Sequence, residues 1–176
     1  MLVDTGLGLQ DISRPQHLGK VFLNVSRPQL LRQETAAQQV TALGFDVHDV
    51  RHIILTHLDL EHAGGLPDFP DAEVHLSKTE YDSAMTPKSG QARARYRPLQ
   101  WLHQPTWRIH AVAGEMWFGF DAVHAVNDEE TEILLIPLSG HSDGHCGVAV
   151  NVGGKWLFHC GDAYFSHREM DLQNPQ

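Results

Sequence analysis

Thr56-His57-Leu58-Asp59-Leu60-Glu61-His62-Ala63-Gly64-Gly65 follows directly on the apolar run His52-Ile53-Ile54-Leu55 and sets two histidines and two carboxylates within six residues. The apolar run reads as a buried strand. At the end of a strand, residues two apart point to the same side, so His57 and Asp59 share a face while Glu61 and His62 follow on a turn that curls back. Four side chains of metal-ligand type then converge on one small volume. A solvated turn is the plainer alternative, but chance does not readily place four ligand types before a Gly-Gly break.

The second half of the chain supplies a matching edge. Ile133-Leu134-Leu135-Ile136-Pro137-Leu138 reads as a buried strand ending in Ser139-Gly140-His141-Ser142-Asp143-Gly144-His145. Cys146 to Val152 and Lys155 to Cys160 read as a hairpin around Gly153-Gly154, a strong two-residue turn signal. In that register Val152 faces Lys155, Cys160 faces Gly147 and His145 faces Asp162. Cys146 is then one residue out of step with Cys160, on the other face of the sheet, so the two cysteines are expected to be free thiols of a reducing compartment. The register also brings His141 and Asp162 to one edge, where Gly161 lets the backbone approach closely. His141 is the stronger ligand candidate, because His145 begins a strand and can brace the loop by a hydrogen bond. Nine further histidines (His17, His48, His52, His75, His103, His110, His124, His159 and His167) have no such company in the sequence and are read as surface or core residues, His159 and His167 being the nearest to exceptions.

Length and charge bound the rest. A chain of 176 residues suits a single domain spanning residues 1–176, and a formal charge of −9, from 13 Lys and Arg against 22 Asp and Glu, argues against a nucleic-acid partner. No window approaches a membrane span and no leader pattern opens the chain, so a cytoplasmic protein without a membrane partner is expected. A helix is predicted over Glu34 to Leu43, stopped by Gly44, then strands at His52 to Thr56 and Glu73 to Leu76, and a helix opened by a Ser77/Glu80 capping box. Residues 86–106, with three prolines and no clear period, read as a long loop or lid. Beyond it, strands are predicted at Arg108 to Val112, Ala122 to Val126 and Glu132 to Leu138.

Taken in order, Val3-Asp4-Thr5-Gly6, Thr56-His57-x-Asp59-x-Glu61-His62-x-Gly64-Gly65, Gly140-His141-Ser142-x-Gly144-His145 and Gly161-Asp162-Ala163 resemble the metallo-β-lactamase superfamily over nearly the whole chain. The resemblance implies an α/β fold, a four-layer αββα sandwich, with two divalent metal ions at one edge of its packed sheets. Carried over by position, His57, Asp59 and His141 would hold the first ion, Glu61 and His62 the second, and Asp162 would bridge them. Asp4 would buttress the metal loop. Two departures stand out. Where the commonest family pattern is His-x-His-x-Asp-His, this chain has Asp59 at the second histidine and Glu61 at the aspartate, which brings manganese or iron into competition with zinc. Glu61 also reaches about 1.5 Å further than Asp, against a ligand tolerance of about 0.2 Å, so the second site is expected to bind weakly or stand empty. Members usually have a strand pair before the Asp-Thr-Gly turn and a further histidine ligand after the bridging aspartate. Here fourteen residues follow Asp162, with His167 the only local candidate, so the resemblance implies a sandwich truncated at both ends.

The implied chemistry is hydrolysis by a metal-bound hydroxide, with Glu61 or Asp162 orienting the nucleophile and Tyr164 donating to the oxyanion. For Tyr164, a packed tyrosine at a strand end is an equal alternative. The nearest likeness is to lactonases and glyoxalase-II-like proteins, so the expected substrate is a small-molecule ester, lactone or thioester, with a homodimer as a further expectation. A non-catalytic or di-iron redox module on the same fold is the competing class. Trp101, Trp107 and Trp117 could receive an acyl chain and Arg93, Arg95 and Arg97 a carboxylate, but core packing and a solvated arginine face are the preferred readings.

Overall fold

The structure is a computed structural model and describes every residue except 112–113, 128–130, 172 and 174–176. Two sheets organise it. β1 (Leu2–Val3), β2 (His52–Ile54), β3 (Glu73–Ser77) and β4 (Thr106–His110) pair in that order, all parallel, with Leu2 opposite Ile53, Ile54 opposite His75, and His75 opposite Arg108. Parallel neighbours need long crossovers, and the segments between these strands carry short helices: α1 (Leu9–Ser13), α2 (Lys20–Ser26), α3 (Ala36–Ala42), α4 (Leu60–Ala63), α5 (Lys78–Met85) and α6 (Gly90–Arg95). One face of this sheet, through Ile53, Val74 and Leu76, packs on Ala37 and Val40 of α3 and Ala84 of α5.

The other face meets a second sheet. β5 (Glu115–Trp117), β6 (Phe120–Asn127), β7 (Glu132–Pro137), β8 (Cys146–Val152) and β9 (Lys155–His159) form an antiparallel meander. Ile54 and Val3 pack against its Ala125, Ile133, Leu135 and Val148, so strands of both sheets alternate between two buried sides. These are the α, β and β layers of an αββα sandwich. The outward cluster of the second sheet, Ala122, Leu134, Ile136 and Ala149 with Trp117 and Trp156, comes from its own strands, and Phe118 stands exposed there.

The predicted hairpin register is the one observed: Val152 faces Lys155 and Val148 faces His159. Gly153 and Gly154 both take positive φ, 56° and 81°, the conformation a two-residue hairpin turn demands. Both cysteines are free. The helix expected over Glu34 to Leu43 is α3, opened by the Thr35 hydroxyl accepting from Gln38 N; it is closed by Gly44 at φ 88°, with Gly44 N–H on Thr41 O and Phe45 N–H on Val40 O.

Other expectations are corrected. Residues 86–106 are not an irregular lid: Ser89 caps α6 by accepting from Ala92 N at 3.0 Å, and Pro98–Trp101 forms a 3-10 turn that buries Trp101 in the helix-side core beside Trp107. The strand expected from Arg108 begins at Thr106 and ends at His110; Val112 lies outside the described residues. The Ser77/Glu80 capping box is half made: Ser77 Oγ accepts from Glu80 N at 3.2 Å, but the Glu80 carboxylate turns to other partners.

Candidate metal centre

The site stands where β2, β7 and β9 run out. Asp4, at φ 53° just after β1, anchors it: Oδ1 accepts from Thr56 N at 2.8 Å, and Oδ2 from Thr56 Oγ1 at 2.8 Å and from His62 Nδ1 at 2.9 Å. This sets the tautomer of His57. The Thr56 hydroxyl gives its one proton to Asp4, so at 2.9 Å from His57 Nδ1 it can only accept, and His57 must carry its hydrogen on Nδ1. His57 is fully buried, and among the described residues its Nε2 has no hydrogen-bond partner. An unshared lone pair in a buried polar pocket is costly unless something is bound there.

The neighbours of that nitrogen are donors of the same kind. One ring nitrogen each of His57 and His141 and an Asp162 carboxylate oxygen lie within 4.8 Å of one another. Asp162 Oδ1 is 3.3 Å from His62 Nε2, and Oδ2 is 3.6 Å from His141 Nε2. Burial works against protonating His62, but the carboxylates of Asp4, Asp162 and Glu61 outweigh it and hold its pKa above the ordinary value. His145 has both nitrogens engaged, Nδ1 on Leu138 O at 3.0 Å and Nε2 accepting from Asp162 N at 2.9 Å. A Cβ on Gly161 would lie 2.5 Å from His145 Nε2, so only glycine permits that approach.

Asp59 sits differently from its expected partners. Its carboxylate is gripped on both oxygens by the Arg95 guanidinium, Nη2 reaching Oδ2 at 2.8 Å, while the same Oδ2 lies 2.9 Å from His141 Nε2 and 3.4 Å from His57 Nε2. Arg95 Nη1 also donates to His141 O at 2.6 Å. Burial pushes the Asp59 carboxyl up, yet with the Arg95 guanidinium on both its oxygens it stays well below the usual carboxylate range. Glu61, on the first turn of α4, is exposed and has no hydrogen bond or ion pair among the described residues. The Tyr164 hydroxyl is engaged with Cys160, which raises its pKa. His167 begins the turn His167–Met170, and its side chain lies outside the described ones.

Two residues escaped the sequence reading. Arg95 was one of three arginines on a supposed solvated face; Arg97 in fact donates to the carbonyls of Leu18, Ala94 and Tyr96, and Arg95 completes the site. The available signal was an aspartate at a histidine position, a charge that needs a partner. Glu80 is the other. Fully buried, its carboxylate accepts from Leu58 N at 3.0 Å, Tyr96 Oη at 3.2 Å and Ser142 Oγ at 2.6 Å, tying together the loops that carry His57, Arg95 and His141. The reading that left His52, His75 and His110 without company is also corrected: they form a hydrogen-bonded row across β2, β3 and β4.

The donor set and the unpartnered His57 nitrogen fit a divalent cation. Comparison with known proteins agrees. The model of the metallo-beta-lactamase superfamily matches residues 1–173. A probable metallo-hydrolase of Mycobacterium tuberculosis is 43% identical over 171 residues, covering 97% of this chain and 55% of that protein. An N-acyl homoserine lactonase of Agrobacterium fabrum is 33% identical over 87 residues, 49% of this chain and 33% of that protein. Among solved structures, an N-acyl homoserine lactone hydrolase with its product N-hexanoyl-L-homoserine bound at the catalytic metal centre superposes with a TM-score of 0.69 at 18% identity, over 98% of this chain and 62% of that one. The chain thus spans about half the length of the curated relatives it matches over nearly all of its own. With the family model matching residues 1–173, the chain belongs to the metallo-β-lactamase superfamily.

Proposed function

We propose that this chain carries the metal-binding half of a metal-dependent hydrolase acting on a small-molecule ester, lactone or thioester. The observation that carries the reading is the buried, unpartnered His57 Nε2 facing His141 and Asp162. Those three residues would hold the first ion, with Asp59 Oδ2 beside it. His62 and Asp162 would hold a second, joined by Glu61 once that side chain turns in from solvent. Zinc suits the histidines, and manganese or iron the added carboxylates. When bound, such ions supply Lewis acidity toward a carbonyl oxygen and lower the pKa of a water.

The chain's own residues do the rest. Asp162 faces both His62 and His141, where its carboxylate can take the proton of an attacking water. Asp59 with Arg95 sums to zero charge, as the neutral imidazole of the commoner pattern would. Arg95 therefore keeps the site from becoming more anionic and fixes the His141 loop through its carbonyl. Tyr164 would have to leave Cys160 to reach an oxyanion. A cavity of about 570 Å³ opens beside Asp59 and Glu61, walled by Val21, Phe22 and Val25 of α2 and by Arg95 and Arg97. An apolar acyl portion on α2, with its carbonyl toward Asp162, fits that lining. No described helix is long and apolar enough to cross a membrane, and the free thiols are in keeping with a reducing compartment.

The test is metal-dependent turnover of a panel of lactones, thioesters and esters by the chelator-treated chain resupplied with zinc, manganese or iron. Turnover that disappears in Asp162→Asn is expected. Metal content unchanged in a His57→Asn, His141→Asn double variant would sink the reading.

A further inference from the structure

The row His52, His75 and His110 crosses the sheet diagonally, from the first residue of β2, at the far end from the candidate metal centre, to the last residue of β4. Strand alternation puts His52, Glu73 and His75 on one face, because Ile53 and Val74 between them point into the helix-side core. In the parallel ladder His52 is paired with Glu73, and His75 is the next residue of β3 on that face. His52 Nδ1 is 3.1 Å from His75 Nε2 and 3.9 Å from Glu73 Oε2, and one ligand atom from each can be chosen with all three within 4.8 Å. Donors around one tetrahedral zinc stand about 3.3 Å apart, given bonds of about 2.0–2.1 Å.

We propose that His52, Glu73 and His75 form a second metal site, separate from the centre at His57, that takes one zinc ion or a cation of zinc's class, with water in the remaining position. Each of two ligands is already oriented from behind. His75 Nδ1 meets His110 Nε2 at 3.1 Å, the two rings stacked at 5.3 Å and 9°, so His75 Nε2 is the nitrogen turned toward His52. The other oxygen of Glu73 is held by Arg108 Nη2, directing Oε2 toward His52. The His52 and His75 rings are tilted by 60°, so they are not stacked face to face and their facing nitrogens can share one ion in place of a proton. His52 and Glu73 are about one-third exposed, which leaves a path for the ion. Two imidazoles and a carboxylate select zinc, nickel or cobalt over magnesium or calcium. Bound there, the ion would clamp β2 to β3 at the first residue of β2, five residues before His57.

The experiment uses the whole chain, stripped with chelator and titrated with zinc, with cobalt(II) as a visible-absorption probe. A His57→Asn, His141→Asn variant disables the first centre and is expected to keep one equivalent of metal per chain. Adding His52→Gln and Glu73→Gln should remove that equivalent or weaken it at least tenfold, with far-UV circular dichroism checking the fold. Equal stoichiometry and affinity with and without those changes overturns the proposal. In the unsubstituted chain, zinc should shift the imidazole nitrogen resonances of His52 and His75; shifts confined to His57, His62 and His141 would overturn it without any variant. Hydrolysis is not the readout, so failure here leaves the reading of the His57 centre standing, and the converse.

Discussion

β2 has a histidine cluster at each end, and the two are built on opposite plans. At the end leading to His57, the rings have their outer nitrogens fixed by a hydroxyl, a carboxylate or a carbonyl: Thr56 for His57, Asp4 for His62, Leu138 for His145. At the His52 end the rings bond one another. The first plan presents a lone pair with no partner; the second satisfies its nitrogens internally and gives up one contact to admit an ion. The difference predicts what each end does when disturbed. His57→Ala should reduce metal-dependent hydrolysis to background, a loss well beyond the roughly 10–100-fold that removing a group behind a ligand costs, while leaving metal at His52 and His75 in place. Retained turnover would break the comparison.

The same contrast should appear in acid. Burial, with His110 and His52 alongside, depresses the pKa of His75 to about 4, below an ordinary 6.5. His75 is therefore neutral in the folded chain at a pH where the unfolded chain has already taken a proton. Its contribution is complete above about pH 6.5 and is lost as pH falls toward 4; 2.5 units at about 1.36 kcal/mol each make that about 3 kcal/mol. Urea unfolding of the metal-free chain at pH 7.5 and 4.5, beside His75→Gln, measures it. Parallel pH profiles for the two proteins would refute the assignment.

Arg95 sharpens the comparison from the other side, since it sets a guanidinium among the ligands. Arg95→Met leaves the largely buried Asp59 carboxylate with the His141 ring at 2.9 Å in place of a two-point guanidinium and should cost about 2 kcal/mol of stability, the lower end for truncating one member of such a pair. Asp59→His restores the commoner pattern and should be tolerated better with Arg95→Met than with Arg95 present, because the guanidinium then has nothing to neutralise. Additive effects in a double-mutant cycle would show that the two residues do not act as a unit.

What was legible in the sequence follows the range of the forces involved. The His57 to His62 cluster is local, and the Gly153-Gly154 turn fixes the β8–β9 register, so the facing of His145 and Asp162 could be counted out residue by residue; the bond from Asp162 N to His145 Nε2 is where that count leads. The Asp59–Arg95 pair spans 36 positions and depends on α6, whose Gly-Gln-Ala-Arg-Ala-Arg sequence has no apolar stripe to announce a helix. His52, His75 and His110 belong to parallel strands joined by long crossovers. Their register is set by how helices and sheets pack, and no short turn encodes it.

The smallest effect is the most diagnostic of the two plans. Thr56→Val keeps the shape of the residue and removes only the hydroxyl that donates to Asp4 and accepts from His57 Nδ1. Without it, nothing in that contact holds the hydrogen on Nδ1, and His57 becomes free to place it on Nε2, where it blocks a ligand. Metal affinity at the His57 end should fall about tenfold, or about 1.4 kcal/mol, with zinc binding at His52 and His75 unchanged. An unchanged affinity at the His57 end would mean that the convergence of donors alone sets the tautomer; a fall at both ends would mean that β2 transmits the change, and the two clusters could no longer be treated as independent.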